Sequence, residues 1–261
     1  MLIAPDFVFV HLSKTGGTFA AETIKEVLCP SPVGRRLHRI KTRQRVSLPF
    51  YRYRYYEIAD QHSQCNEIPK EQSDKTILSI IRNPFDLYLS EYTFNWWKKY
   101  PRLWFHDLAE VERRCPNWQD LSFEEFFDFS NEYAEWVCKA TIKYPQTRSL
   151  GWYSHKFIHY YCREPEYVFE AAGDFDLLLQ RVRESIYPVA FLHTERLNDD
   201  LFRFFSSRGY DRDRIEFIST KAKINRSRET RDTIGFYSET LRKRISEQDA
   251  LIFELFPEYR R

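Results

Sequence analysis

The chain has 261 residues, with 40 Lys and Arg against 38 Asp and Glu for a net charge of +2, and aromatic side chains make up 17% of it. So balanced a charge excludes sequence-independent attraction to nucleic acid, and no apolar run approaches the ~18 residues that a membrane span needs. Five scattered cysteines without a C-x-x-C pair indicate neither a disulfide framework nor a zinc site, and point to a reducing compartment, the cytoplasm.

Phe7-Val8-Phe9-Val10 is a short apolar, β-rich run, followed by a polar turn with two glycines and then by helical apolar spacing from Phe19 to Leu28. This predicts a strand, loop and helix. Residues 29–54 hold Pro30, Pro32, Gly34 and Pro49 among many arginines, the composition of an irregular surface connection. The cluster of Arg35, Arg36, Arg39, Lys41, Arg43, Arg45, Arg52 and Arg54, interleaved with Tyr51, Tyr53 and Tyr55, suits an anionic substrate. A short strand is expected around Tyr55 to Ala59, and Thr76 to Ile81 reads as a strand buried on both faces of a parallel sheet.

Arg82-Asn83-Pro84 ends that strand, and Pro84 opens a helix through about Trp97. Residues 99–165 read as an aromatic-rich helical insertion shaping a substrate cleft; the preceding pair Trp96 and Trp97, and Trp104, could equally stack on sugar rings or fill the core. A helix from Phe175 to Ser185, a strand from Pro188 to His193 and a helix from Glu195 to Ser207 closed by Gly209 come next. Residues 211–235 read as a charged loop, and Phe236 to Phe256 as one amphipathic helix. Alternating strands and helices predict a single α/β domain over residues 1–261, a parallel β-sheet flanked by helices.

The segment His11-Leu12-Ser13-Lys14-Thr15-Gly16-Gly17-Thr18 lies where the first strand gives way to a helix. Unpaired amides and the positive dipole end at such a position bind phosphate, glycines let the backbone approach closely, and Lys14 with the hydroxyls of Thr15 and Thr18 adds donors. The nucleotide triphosphatase pattern requires its lysine after the glycines, whereas Lys14 precedes them. In this the chain resembles the sulfotransferases that use 3'-phosphoadenosine 5'-phosphosulfate (PAPS), in the branch whose loop reads roughly H-[IL]-P-K-T-[GA]-G-T; Ser13 stands in the place of the proline.

In that family an arginine at a strand end and a serine eight positions later hold the 3'-phosphate, and Arg82 and Ser90 have that spacing. A softer match is Asn225-Arg226-Ser227 with Tyr237 ten residues on, similar to a late segment that closes over the nucleotide. The resemblance implies a P-loop-like sheet, PAPS as co-substrate with the bisphosphate PAP as product, and no metal. It implies nucleotide contacts from Lys14, Thr15, Gly16, Gly17, Thr18, Phe19, Arg82, Ser90, Asn225, Arg226 and Ser227, and Lys14 as the residue that assists the leaving phosphate. The acceptor it implies is a hydroxyl compound, a carbohydrate or other small molecule.

For the general base, His62 occupies the place where related uronosyl 2-O-sulfotransferases carry a G-H element, although Gln61 replaces the glycine; Glu22 is the alternative. His11 reads as a packed histidine. His155 and His159 have i, i+4 spacing but no accompanying H-E-x-x-H pattern, and read as part of an aromatic surface. Two other readings remain open at this point: a nucleotide kinase on a similar sheet, and a non-catalytic module that binds an anionic glycan.

Overall fold

The computed structural model describes residues 1–36, 55–57, 62–104, 107–132, 150–222 and 235–260. Its principal elements in chain order are β1 (Leu2–Ile3), β2 (Phe7–Phe9), α1 (Gly17–Leu28), β3 (Tyr56–Glu57), β4 (Thr76–Ile81), α2 (Pro84–Phe94), α3 (Phe123–Glu132), α4 (Trp152–Tyr161), α5 (Phe175–Ser185), β5 (Val189–His193), α6 (Leu197–Ser207), α7 (Glu239–Gln248) and α8 (Ala250–Leu255). They fall into two compact units, one of Met1–Arg82 with Tyr187–Asn225 and the other of Asn83–Ile186 with Arg226–Arg261.

The first unit holds the sheet, in the order β3-β1-β2-β4-β5. β2, β4 and β5 run parallel, as the crossover connections between them demand. The sheet is nonetheless mixed, which corrects the expectation of a purely parallel one. Pro5 and Asp6 make a tight turn in which Ala4 N donates to Phe7 O at 2.9 Å, and so short a connection can only fold β1 back antiparallel on β2. β3 adds to β1, again antiparallel.

One face of the sheet, with Phe7, Phe9, Leu78, Ile80 and Leu192, packs against Ala20, Ile24, Val27 and Leu28 of α1 and against Leu197, Leu201 and Phe205 of α6. The α1 residues recur at helical spacing, which lines them along one side of the helix. Ser79 is fully buried within β4, and its hydroxyl donates to Val10 O at 2.9 Å, so the strand carries a polar group into the core without leaving it unsatisfied. The stretch from 212 to 220, expected as loop, contains two helical turns, Arg212–Ile215 and Phe217–Thr220. Ile215 and Ile218 reach the same core, and Arg214 donates to Val27 O (2.7 Å) and Leu28 O (3.2 Å), closing the C-terminal end of α1.

The second unit is helical. Asn83 caps α2 by accepting from Phe85 N at 3.0 Å, with Pro84 in the first turn. The helix stops at Phe94 rather than Trp97 because Asn95 adopts a left-handed conformation (φ 56°), and a separate turn, Trp96–Lys99, follows. Trp97, Phe126, Phe127, Trp152, Tyr153 and Phe157 are fully buried, so these aromatics are core. The expected C-terminal helix is broken into α7 and α8 at Asp249, a buried carboxylate. Its Oδ1 accepts from Ser154 N and Oγ, both at 2.8 Å, and its Oδ2 from Tyr88 Oη at 2.8 Å. Gly151 lies so close that a Cβ there would sit 2.4 Å from the same carboxylate. No described helix is long and apolar enough to cross a membrane.

Candidate functional site

The chain leaves β2, turns through residues 13–16 and enters α1 at Gly17, two residues before the predicted start. The turn needs left-handed backbone at Lys14 (φ 62°) and Gly16 (φ 88°). For Gly16 this conformation costs little; for lysine it is uncommon and holds only where neighbours enforce it. The first α1 bond runs from Ala20 N to Gly16 O (3.1 Å), so the amides of Gly17, Thr18 and Phe19 lie ahead of the helical ladder. The first turn holds no acidic residue to offset the dipole, and Thr18 is exposed.

Two side chains of the loop face inward. Thr15 is fully buried, and its hydroxyl donates to Leu12 O at 2.9 Å, so it braces the turn instead of supplying the ligand donor expected from sequence. Phe19 is buried in the core beneath α1, which leaves its backbone amide as its contribution to the site.

Gly17 has a steric reason to be glycine. A Cβ at this position would stand 1.8 Å from His11 Cδ2 and 2.1 Å from Nε2. The His11 ring is buried and stacked on Phe9 at 6.2 Å. Burial first, then the neighbouring His62, the N-terminus and Lys25, lower its pKa to about 3, so His11 is a neutral packing group at ordinary pH. Beside it lies His62, its ring centroid 5.0 Å away and its Nδ1 3.2 Å from His11 O. A carbonyl only accepts, so Nδ1 carries the proton in this contact.

The neighbouring parallel strands hold the loop from their C-terminal ends. Arg82, just past β4, donates from Nη1 to Lys14 O at 2.8 Å. Thr194, just past β5, donates to Thr15 O at 2.7 Å and to Ile81 O at 3.1 Å. Next to it Arg196 Nη2 meets His193 Nδ1 at 2.8 Å, while Arg196 Nε lies 3.1 Å from both Asp200 oxygens. A guanidinium can only donate, so His193 Nδ1 accepts from Arg196; the same Nδ1 lies 3.2 Å from Asp200 Oδ2, which also accepts from His193 N at 2.8 Å, so Asp200 holds both residues in place.

Of the remaining candidates, Glu22 is ion-paired with Lys25 at 3.0 Å, and Lys25 also reaches Glu57 at 2.7 Å. Ser90 is half-buried on α2, in the second unit. Asn225, Arg226 and Ser227 lie outside the described residues, as does most of the basic cluster; Arg35 turns back to cap its own segment, donating to Cys29 O and Pro30 O. Tyr237 is buried and donates to Phe85 O. His155 and His159 are buried, not surface residues. His155 stacks on Phe169 at 4.7 Å, and burial lowers its pKa to about 4. Among the described residues no group of three or more His, Cys, Asp or Glu could hold a metal ion.

Sequence reasoning missed Thr194 altogether. A threonine after a strand is unremarkable, and the carbonyls it holds are 179 and 113 residues away in the chain. No family model, curated protein or solved structure matches this chain.

Proposed function

We propose that the chain is a sulfotransferase that moves a sulfuryl group from PAPS to a hydroxyl acceptor, a carbohydrate or other small molecule. The observation that carries this reading is the 2.8 Å bond from Arg82 to Lys14 O, because it brings the strand-end arginine of one sequence motif to the lysine loop of the other within the first unit. The fit to a bisphosphorylated nucleotide rests on the cradle itself. Three amides ahead of the α1 ladder, a lysine just before them in the loop and no acidic residue in the first turn together favour an anion held by backbone.

In this reading PAPS supplies the activated sulfuryl group. The amides of Gly17, Thr18 and Phe19, with Lys14, hold the 5'-phosphate, and Arg82 attends to the 3'-phosphate; Ser90 enters on sequence spacing alone. His62 Nε2 takes the acceptor's hydroxyl proton as the acceptor oxygen bonds to sulfur. The sulfur–oxygen bond to the 5'-phosphate breaks, and its electron pair stays on the phosphate oxygen, where Lys14 stabilises the charge. The products are a sulfate ester, the bisphosphate PAP and a proton on the base.

Calorimetry separates this from the kinase alternative. The wild-type chain should bind PAP with micromolar or tighter affinity without magnesium. Binding of ATP with magnesium, and none of PAP, would end the proposal.

A further inference from the structure

We infer that Thr194 is a positioning residue that sets the shape of the Lys14–Gly17 loop, and that its hydroxyl governs how well the loop holds an anion. Its single proton lies between two carbonyls, Thr15 O at 2.7 Å and Ile81 O at 3.1 Å, so one side chain from the end of β5 ties the loop to the end of β4. The hydrocarbon half is used as well. A Cβ on Gly16 would stand 3.8 Å from Thr194 Cγ2 and 3.0 Å from Leu197 Cδ2, so the exit of β5 and the start of α6 form a wall against the left-handed Gly16.

Arg82 holds the carbonyl of Lys14, and Thr194 holds the next carbonyl, that of Thr15. The left-handed Lys14 and Gly16 flank the second tie, and Gly16 O in turn accepts the first bond of α1 from Ala20 N. The amides of Gly17 and Thr18 follow directly. Loss of the Thr194 hydroxyl therefore frees the peptide between the two left-handed residues and loosens the amides that would meet a phosphate. An anion site made of backbone depends on such preorganisation, since loop ordering otherwise subtracts from binding.

The ligand half of this inference rests on the sulfotransferase reading; the loop half does not. The test compares wild type with Thr194→Val, which keeps the shape and removes the hydroxyl, and with Thr194→Ser, which keeps the hydroxyl. Two quantities are measured: hydrogen exchange at the Ala20 amide in the ligand-free protein, and PAP affinity by calorimetry. Thr194→Val should speed Ala20 exchange and weaken PAP binding about tenfold, and Thr194→Ser should restore both to near wild type. Thr194→Ala provides a second hydroxyl-free variant should valine crowd the two carbonyls and unfold the unit. Wild-type exchange and affinity in a folded hydroxyl-free variant would overturn the inference, as would a serine variant that behaves like valine. If wild type itself fails to bind PAP, the sulfotransferase reading falls, while the Ala20 comparison still decides the role of Thr194.

Discussion

Gly17→Ala places a methyl group 1.8 Å from His11 Cδ2, 2.1 Å from Nε2 and 2.6 Å from Cγ. Ordinary carbon contacts lie at about 3.5–4.0 Å, so the ring or the start of α1 must move by roughly 1.5 Å. His11 cannot rotate away cheaply, because it is buried between Phe9 and His62. Overpacking of this kind costs about 1–3 kcal/mol, and the gain from replacing a helical glycine by alanine, at most about 1 kcal/mol, offsets part of it. The net expectation is a loss of about 1–2 kcal/mol, a drop in melting temperature of roughly 2–8 °C for a chain of this size. Urea unfolding and thermal melting measure it, and the double variant His11→Ala/Gly17→Ala should lose less than the sum of the two single changes. The sign is diagnostic, since alanine for glycine in an open helix stabilises. A Gly17→Ala protein as stable as wild type, or more so, would refute the packing of His11 against the loop.

Asp249 offers a pH test in the second unit. Burial raises it from 3.8 to about 6, against the opposing effect of the bonds from Tyr88 and Ser154. Between those pH values the folded chain holds a proton that the unfolded chain has released. The stability from this group is therefore complete below the unfolded value and is lost as pH rises through about 6. Its loss should amount to roughly 2–3 kcal/mol, and Asp249→Asn should lack that slope in urea unfolding at pH 4, 5 and 6; equal slopes in both proteins would contradict the assignment. For the base, His62→Ala should lower kcat by about 10²–10⁴-fold while PAP affinity stays close to wild type, and full turnover in this variant would move the role to Glu22.

How far sequence could foresee this structure depended on the range of the forces involved. β4 spans Thr76–Ile81 and α5 spans Phe175–Ser185, both at the predicted bounds. One is a nearly continuous apolar run, broken only by Thr76 and Ser79 and ended by Arg82-Asn83-Pro84. The other opens on an Asp174 cap that accepts from Leu177 N and is followed by Pro188. Such signals are local and survive in any context. The phosphate-loop candidate was legible for the same reason, as a strand, two glycines and a helix in succession.

What escaped depends on direction or distance. Residue type does not say which way a hydroxyl points, so Thr15 read as a ligand donor although it bonds inward to Leu12 O. The apolar periodicity of residues 236–256 carries through Asp249 unbroken, because the buried Tyr88 and Ser154 that hold the carboxylate are remote in sequence. The turns at 212–220 were hidden by their charge, their two core anchors Ile215 and Ile218 being too few to make a pattern.

The central claim is that Lys14 and the amides after it, with Arg82 behind them, grip a bisphosphorylated adenosine. A calorimetric titration of PAP into wild type, Lys14→Ala and Arg82→Ala tests it most directly. Wild type should bind saturably, and each variant should lose about tenfold or more in affinity, from removal of a charge-assisted bond and of the tie to Lys14 O. Undiminished affinity in both folded variants would show that the nucleotide, if it binds, binds elsewhere.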